Sequence, residues 1–371
     1  MPRHYLDHAS TSPTRPLAVD AMLPWFSAVA DPGRVHSEGH ASRVAVEVAR
    51  EHVGRLLGAR SSREVVFTSG ATESIATATW MATERGDHVV VPAVEHSAVR
   101  EASARVRVTE VEVDGRGRVN PDEVLAAVEP GTALVHLQWG NHEVATLQPV
   151  TEVVARCRER RVLTHVDAAM AAGHVAIDFA ALGADLLSVS AHKLGGPPGV
   201  GALLVRRGLR LRPLLLGGDQ ERARRAGLEN VPAIVGFGAV AEHLAGGALE
   251  AEAAEHGRLL DRVLAADLGP GIDLLGDPDP AGRLPHLVCL SVEGVEAEPV
   301  LLGLDQSGVA VHSGSSCSSE ALEPSPVLEA MGVDASRSLR VSVGWSSTTE
   351  DVDAFVAALP RVVAGLRALA G

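Results

Sequence analysis

The sequence predicts an α/β fold, with a large, mostly parallel sheet covered by helices on both faces and a smaller α+β domain behind it. Short apolar runs that read as strands alternate with helical patterns, as parallel strands joined by crossover helices require. From about Leu249 the pattern shifts to an acidic helical stretch and a different succession of strands. At 371 residues and 46% apolar content, the chain can bury a large core and is long enough for two domains. The expected division assigns residues 12–249 to the large domain, and residues 1–11 with 250–371 to the small one.

In chain order, EVVFTSG at Glu64 is a strand closing on glycine, and ATESIATATWMATER is a helix that opens with small and hydroxyl residues. DHVVVPA and ALVHLQW are further apolar strands, EVVARCRERR is helical, and VLTHVD is a strand that ends in a carboxylate. ADLLSVS and VGALLVR complete the large sheet. LEAEAAEHGRLLDRVLAADL opens the small domain as a helix, and DPDPAG at Asp277 is a turn. LPHLVCLSVEG, LLGLDQSGVAVHSGS and SLRVSV follow, and DVDAFVAALPRVVAGLRALAG closes the chain as a helix. No internal repeat or low-complexity tract interrupts this order.

The chemistry concentrates where strands end. ADLLSVS runs into Ser190-Ala191-His192-Lys193 and then into glycine and proline, which holds Lys193 at the edge of a core. Partial burial favours the neutral amine, which can condense with an aldehyde; the plain alternative is an ordinary loop lysine. Asp167 ends the preceding strand, where ligands bind in open α/β sheets. It suits a carboxylate that keeps a pyridine nitrogen protonated, and equally a helix N-cap before AAMAA. Together Lys193 and Asp167 are the pair a pyridoxal cofactor needs. Gly70, Ala71 and Thr72, at the start of the helix after EVVFTSG, offer backbone N–H groups and a hydroxyl to its phosphate, with Ser190 and His192 as further candidates. The glycine pattern matches neither a dinucleotide fingerprint nor a Walker loop.

Three cysteines exclude a disulfide scaffold. Cys157 in its helix and Cys289 in an apolar strand read as packed thiols. Cys317 sits in HSGSSCSSE, among glycine and hydroxyl residues, and is expected to be accessible and mobile. The start, MPRHYLDHAS, lacks an apolar leader core, and no run approaches 18 consecutive apolar residues, so the expectation is a cytoplasmic protein without membrane insertion. A net charge of −14, from 33 basic and 47 acidic residues, disfavours direct nucleic-acid binding, and the basic run ERARRAG reads as a loop near a dimer interface. No metal site is expected.

These segments resemble the cysteine desulfurases of the class V aminotransferase family, in the group with the longer cysteine loop. The likeness runs almost end to end: YLDHASTSP, FTSGATES, EHSAV, NHEVATLQP, HVDAA, SVSAHKLGGPPGVGAL, GGDQERARRAGLENVPAIVG, HSGSSCSSEALEPS and LRVSVGWSSTTEDVD. The resemblance implies a fold-type-I transferase dependent on pyridoxal 5'-phosphate. Lys193 would be the Schiff-base lysine, Asp167 would face the pyridine nitrogen, and His96 would stack on the ring and exchange protons with thiols. Thr72, Ser190 and His192 would hold the phosphate, Arg340 would grip the substrate carboxylate, and Asn141 and His142 would lie at the substrate. The implied reaction converts L-cysteine to L-alanine, leaves a persulfide on Cys317 and passes that sulfur to an acceptor protein. A homodimer is implied as well.

Four positions depart from the family pattern. His142 stands where a second asparagine is usual, Met170 replaces a glutamine, Leu228 replaces a phosphate-binding threonine contributed across the dimer, and ESIA lacks the asparagine of ESDN. One expectation is compensation, with His142 donating to the cofactor's phenolic oxygen that Met170 cannot reach. Alternatives are a C–S or selenocysteine lyase, for which Cys317 is dispensable, and a non-catalytic partner protein of the same fold. Housekeeping desulfurases carry a C-terminal docking extension not seen here, which favours a dedicated acceptor by analogy.

Overall fold

The computed structural model describes residues 3–313 and 325–370, and Cys317 lies outside the described residues. After a short strand β1 (His4–Tyr5), the large sheet comprises β2 (Val65–Thr68), β3 (His88–Pro92), β4 (Arg107–Val111), β5 (Thr132–Gln138), β6 (Leu163–Asp167), β7 (Leu186–Ser190) and β8 (Gly201–Val205). Its seven strands lie in the order β2-β8-β7-β6-β5-β3-β4. Every pairing from β4 through β7 is parallel, whereas β8 runs antiparallel to both its neighbours. β2, β3, β7 and β8 are buried along their whole length, and the apolar runs record this: a strand covered on both faces shows no alternation. β4, RVTEV, was not among the expected strands. It is a largely exposed edge whose charged and polar residues blunt pairing with other chains.

The small domain holds β9 (Ile272–Leu275), β10 (Leu287–Val292), β11 (Val309–Ala310) and β12 (Ser338–Ser342), with β12, β10 and β9 forming an antiparallel sheet. The helices Leu249–Ala265, Ala297–Gln306 and Thr349–Ala370 accompany it. β1 pairs with β11, and Leu6 joins a second core with Leu259, Val288, Leu339 and Phe355. The chain then crosses over: Ser12 N–H donates to His192 O at 3.0 Å and Arg15 N–H to Gly195 O at 2.9 Å. The N-terminal segment therefore straps one core to the other beside Lys193.

Among the described residues, one helical run, Val231–Ala265, is long and apolar enough to cross a membrane by length and composition. Val231, Ile234, Phe237 and Val240 on it are buried, and a β-carbon at Gly238 would come within 2.5 Å of that of Ala49. It is a core helix, broken at Gly247, where φ is 109°.

Four buried histidines gather behind the Lys193 turn. His174 and His286 stack with ring centroids 3.5 Å apart, and His256 lies 5.6 Å from His174. Neither ring nitrogen of His286 has a hydrogen-bond partner, nor has Nδ1 of His174 or His256. Burial depresses their basicity, to about 3 for His174 and about 4 for nearby His8, and also lowers His256 and His286. The unfolded chain protonates these groups near 6.5 and the folded chain does not. Stability is therefore fully present above pH 6.5 and is lost as pH falls toward 4, by up to about 1.4 kcal/mol per pH unit for each histidine. Thermal midpoints should be flat from pH 8 to 7 and fall steeply below 6.5. A midpoint unchanged down to pH 5 would show that the cluster charges without cost.

Candidate active site

The carboxyl ends of the parallel strands converge on one edge of the sheet, as doubly wound folds arrange their ligand sites. Gln138 of β5 pairs in register with Asp167 of β6, and Ser190 ends β7. Beside them opens a cavity of about 650 Å³, lined by Gly70, Ala71, Thr72, His96, His142, Asp167, Met170, Ser190, His192, Lys193 and Arg340. Ala9, Ser10, Thr11 and Gln138 line it too, although no chemistry was expected of them from sequence.

Lys193 sits in the single turn Ala191–Leu194 that follows β7, and Gly195 ends this turn at φ 84°. A β-carbon there would meet Arg15 and Trp345 at 2.8 Å, so the sharp exit needs glycine. The half-buried Lys193 Nζ donates to the carbonyls of Ala9 and Ser10, the latter at 3.0 Å. It is the only lysine in the sequence.

The anion end is built by a close backbone approach, since a β-carbon on Gly201 would lie 2.6 Å from Gly70 Cα. The helix Ala71–Ala82 begins at Gly70 without a side-chain cap, leaving its N-terminus open to a ligand anion. Glu73 in its first turn is paired with Arg225 at 2.9 Å. The neighbouring His192 bonds Thr11 Oγ1 at 3.0 Å and stays neutral, pushed down to about 4 by burial and by Lys193.

Asp167 Oδ1 accepts the backbone N–H of Ala169 at 2.9 Å, so the carboxylate does serve a local cap while also lining the cavity. Glu95, which the sequence did not single out, accepts Gln138 N–H with Oε1 and leaves a buried Oε2 unpartnered. Burial first, and then the charge of Asp167, push its carboxyl well above the ordinary range.

His96 Nδ1 accepts the N–H of Ala98 at 3.0 Å, which caps the helix Ser97–Ser103 and leaves the ring proton on Nε2. His142 meets it edge to face, with centroids 5.0 Å apart, and its Nε2 lies 3.4 Å from Glu143 Oε1. Burial lowers the basicity of His142 more than Glu143 restores it.

Asn141 does not line the cavity: it is fully buried, donating to Val94 O and accepting from the N–H groups of Glu143 and Val144 at 2.8 and 2.9 Å. Its amide shapes the turn that presents His142.

Arg340, 1% exposed, places its guanidinium at the cavity wall. Nη1 donates to His142 O at 2.9 Å, and Nη2 donates to Asp7 Oδ1 at 3.0 Å and to Ser10 Oγ at 2.8 Å.

Leu228 lies beside a smaller pocket of about 200 Å³ that shares Ser69 and Gly199 with the main cavity, and is 61% exposed. The arginines of the basic run are engaged internally: Arg222 with Glu47, Arg224 with the carbonyls of Arg63 and Val65, Arg225 with Glu73. Glu221, Arg222 and Ala223 all have positive φ, a strained run anchored by the buried pair of Glu221 with Arg50 at 2.6 Å.

Residues 4–355 match the class-V aminotransferase family. The chain is 39% identical over 377 residues to a cysteine desulfurase IscS of Methanosarcina thermophila, a match covering 98% of this chain and 92% of the relative. Among solved structures, a NifS-like protein superposes with a TM-score of 0.90 at 30% identity, over 98% of this chain and all of the other. A structure described as SspA in complex with cysteine gives a TM-score of 0.80 at 27% identity, over 93% of this chain and all of the other.

Proposed function

The chain belongs to the class-V aminotransferase family, and we propose that it is a pyridoxal-phosphate-dependent cysteine desulfurase acting on L-cysteine. The observation that carries this reading is the meeting, in one cavity, of the only lysine, a strand-end carboxylate, an uncapped helix N-terminus and a buried arginine.

These residues fit the cofactor. The open N-terminus of Ala71–Ala82, with Thr72 and Ser190, would hold the phosphate; Asp167 would hold the ring nitrogen; Lys193 would hold the aldehyde carbon; His96 would cover the ring. When bound, the cofactor supplies an electron sink for the negative charge formed at the substrate Cα. Arg340 binds the substrate carboxylate and so fixes its Cα beside Lys193, whose amine accepts the Cα proton. His96, whose ring is fixed by the capping bond from Ala98 N–H and lines the cavity, would exchange protons with the thiols. Cys317 attacks as thiolate: its sulfur bonds to the substrate sulfur as the bond from that sulfur to Cβ breaks, and the carbon skeleton leaves as L-alanine once Cβ is protonated. The persulfide sulfur then passes to an acceptor protein. Purified protein given L-cysteine and a dithiol should release alanine and sulfide in equal amounts; sulfide accompanied by pyruvate and ammonia would overturn the assignment.

The proposal extends to the setting of the site. Residues 12–249 form the cofactor domain, with residues 1–11 and 250–371 in a small domain that carries Cys317. A homodimer is supported by apolar side chains exposed on the single chain, among them Leu23, Phe26, Val29, Val35 and Leu228. The free thiols of Cys157 and Cys289 suit a reducing, cytoplasmic compartment.

His142 and Met170, both on the cavity wall, are proposed to be coupled, with His142 supplying the hydrogen bond to the phenolic oxygen. His142→Asn alone should cost about 1 to 3 kcal/mol in transition-state binding, as for an unpaired polar group, and adding Met170→Gln should recover most of it. Additive effects in this double-mutant cycle on kcat/KM would show the two positions to be independent.

A further inference from the structure

The hydrogen bonds of Arg340 bear on how a substrate carboxylate reaches it. A guanidinium has two edges that can grip a carboxylate with paired hydrogen bonds, Nη1 with Nη2 and Nε with Nη2, and both need a proton of Nη2. Nη2 has two protons. One goes to Asp7 Oδ1 at 3.0 Å and the other to Ser10 Oγ at 2.8 Å, while Ser10 Oγ itself donates to Asp7 Oδ1 at 2.9 Å. Nη1 is partly used by His142 O, and the buried Nε has no partner. No substrate carboxylate can therefore take either edge without displacing Asp7 or Ser10.

The occupant is chemically a stand-in. Asp7 presents a carboxylate to Arg340, and its side chain is 15% exposed while that of Arg340 is 1% exposed, so the pair is poorly screened. Two residues further along the same segment, the carbonyls of Ala9 and Ser10 accept from Lys193 Nζ. One stretch of backbone thus engages both cations of the cavity.

Resting on the desulfurase reading, we infer that Asp7 and Ser10 are specificity-determining residues: an internal carboxylate and hydroxyl that occupy Arg340 between turnovers and that the substrate carboxylate must exchange for its own. Only a ligand with a full negative charge at that point can compete, so neutral thiols and amides gain nothing from Arg340. The exchange also keeps a buried guanidinium from standing unpaired when the site holds no substrate.

The test uses the holoenzyme and 3-mercaptopropionate, which has the thiol and carboxylate of cysteine but no amine to react, with 3-mercaptopropionamide as its uncharged counterpart. Affinities are read by calorimetry. Asp7→Asn keeps an acceptor at Nη2 but removes the competing charge, and should tighten 3-mercaptopropionate by about tenfold, as expected when a charge-assisted bond no longer has to be broken. Ser10→Ala should tighten it by a smaller factor and decides the matter if Asp7→Asn does not fold. Neither variant should alter binding of the amide. Unchanged or weaker binding of 3-mercaptopropionate by a folded variant overturns the exchange while leaving the desulfurase reading intact. A wild-type holoenzyme that does not prefer the acid to the amide overturns the role of Arg340, and the exchange with it.

Discussion

A chain carrying Lys193→Ala loses turnover by at least about a thousandfold and can no longer be joined covalently to pyridoxal phosphate by borohydride. The expectation is sharp because Lys193 is the only lysine in the sequence, so no second side-chain amine can take its place. Its Nζ is also positioned, by the carbonyls of Ala9 and Ser10 from the N-terminal strap and by the glycine-terminated turn after β7. Lys193→Arg separates charge from chemistry. A guanidinium restores the positive charge and the donors but stays protonated, so it neither attacks an aldehyde nor accepts the Cα proton. Both variants should be inactive, and peptide mapping after reduction should find cofactor on Lys193 in the wild type alone. Cofactor fixed elsewhere would displace Lys193 from its role.

Replacing Cys317 with alanine should have the second-largest effect, abolishing persulfide formation and lowering alanine production by about a thousandfold while leaving cofactor binding unchanged. Neither remaining thiol can substitute. Cys157 and Cys289 are fully buried, and burial pushes them up to about 11 and about 12, so almost no thiolate exists at neutral pH. Near wild-type sulfide release by Cys317→Ala, with pyruvate and ammonia in place of alanine, would favour a lyase, which eliminates sulfur without a thiol of its own.

Much of this was legible in the chain. Six of the strands in the large sheet coincide with apolar runs because strands buried on both faces read as uninterrupted apolar stretches. β4 was not legible because an edge strand carries arginine and glutamate. Nothing in GALLV revealed that β8 is antiparallel, since direction is set by the connection and leaves no mark on composition. At the site, strand ends and a helix start exposed Lys193, Asp167 and Gly70 to Thr72. The solitary lysine among so many arginines was a further signal, visible in composition alone. Asp7 and Ser10 stood in the quoted segment YLDHASTSP, but no local pattern connects them to Arg340 more than 300 positions away. The histidine cluster was equally hidden, since His8, His174, His256 and His286 come from four separate segments.

In the proposed reaction, sulfur leaves L-cysteine as a persulfide on Cys317. The most direct measurement is mass spectrometry of the Cys317 peptide after the holoenzyme meets one equivalent of L-cysteine without reductant. One sulfur atom should be added on Cys317, with an equal amount of L-alanine in solution. An unmodified Cys317 alongside free sulfide, or the added sulfur on Cys157 or Cys289, would contradict it.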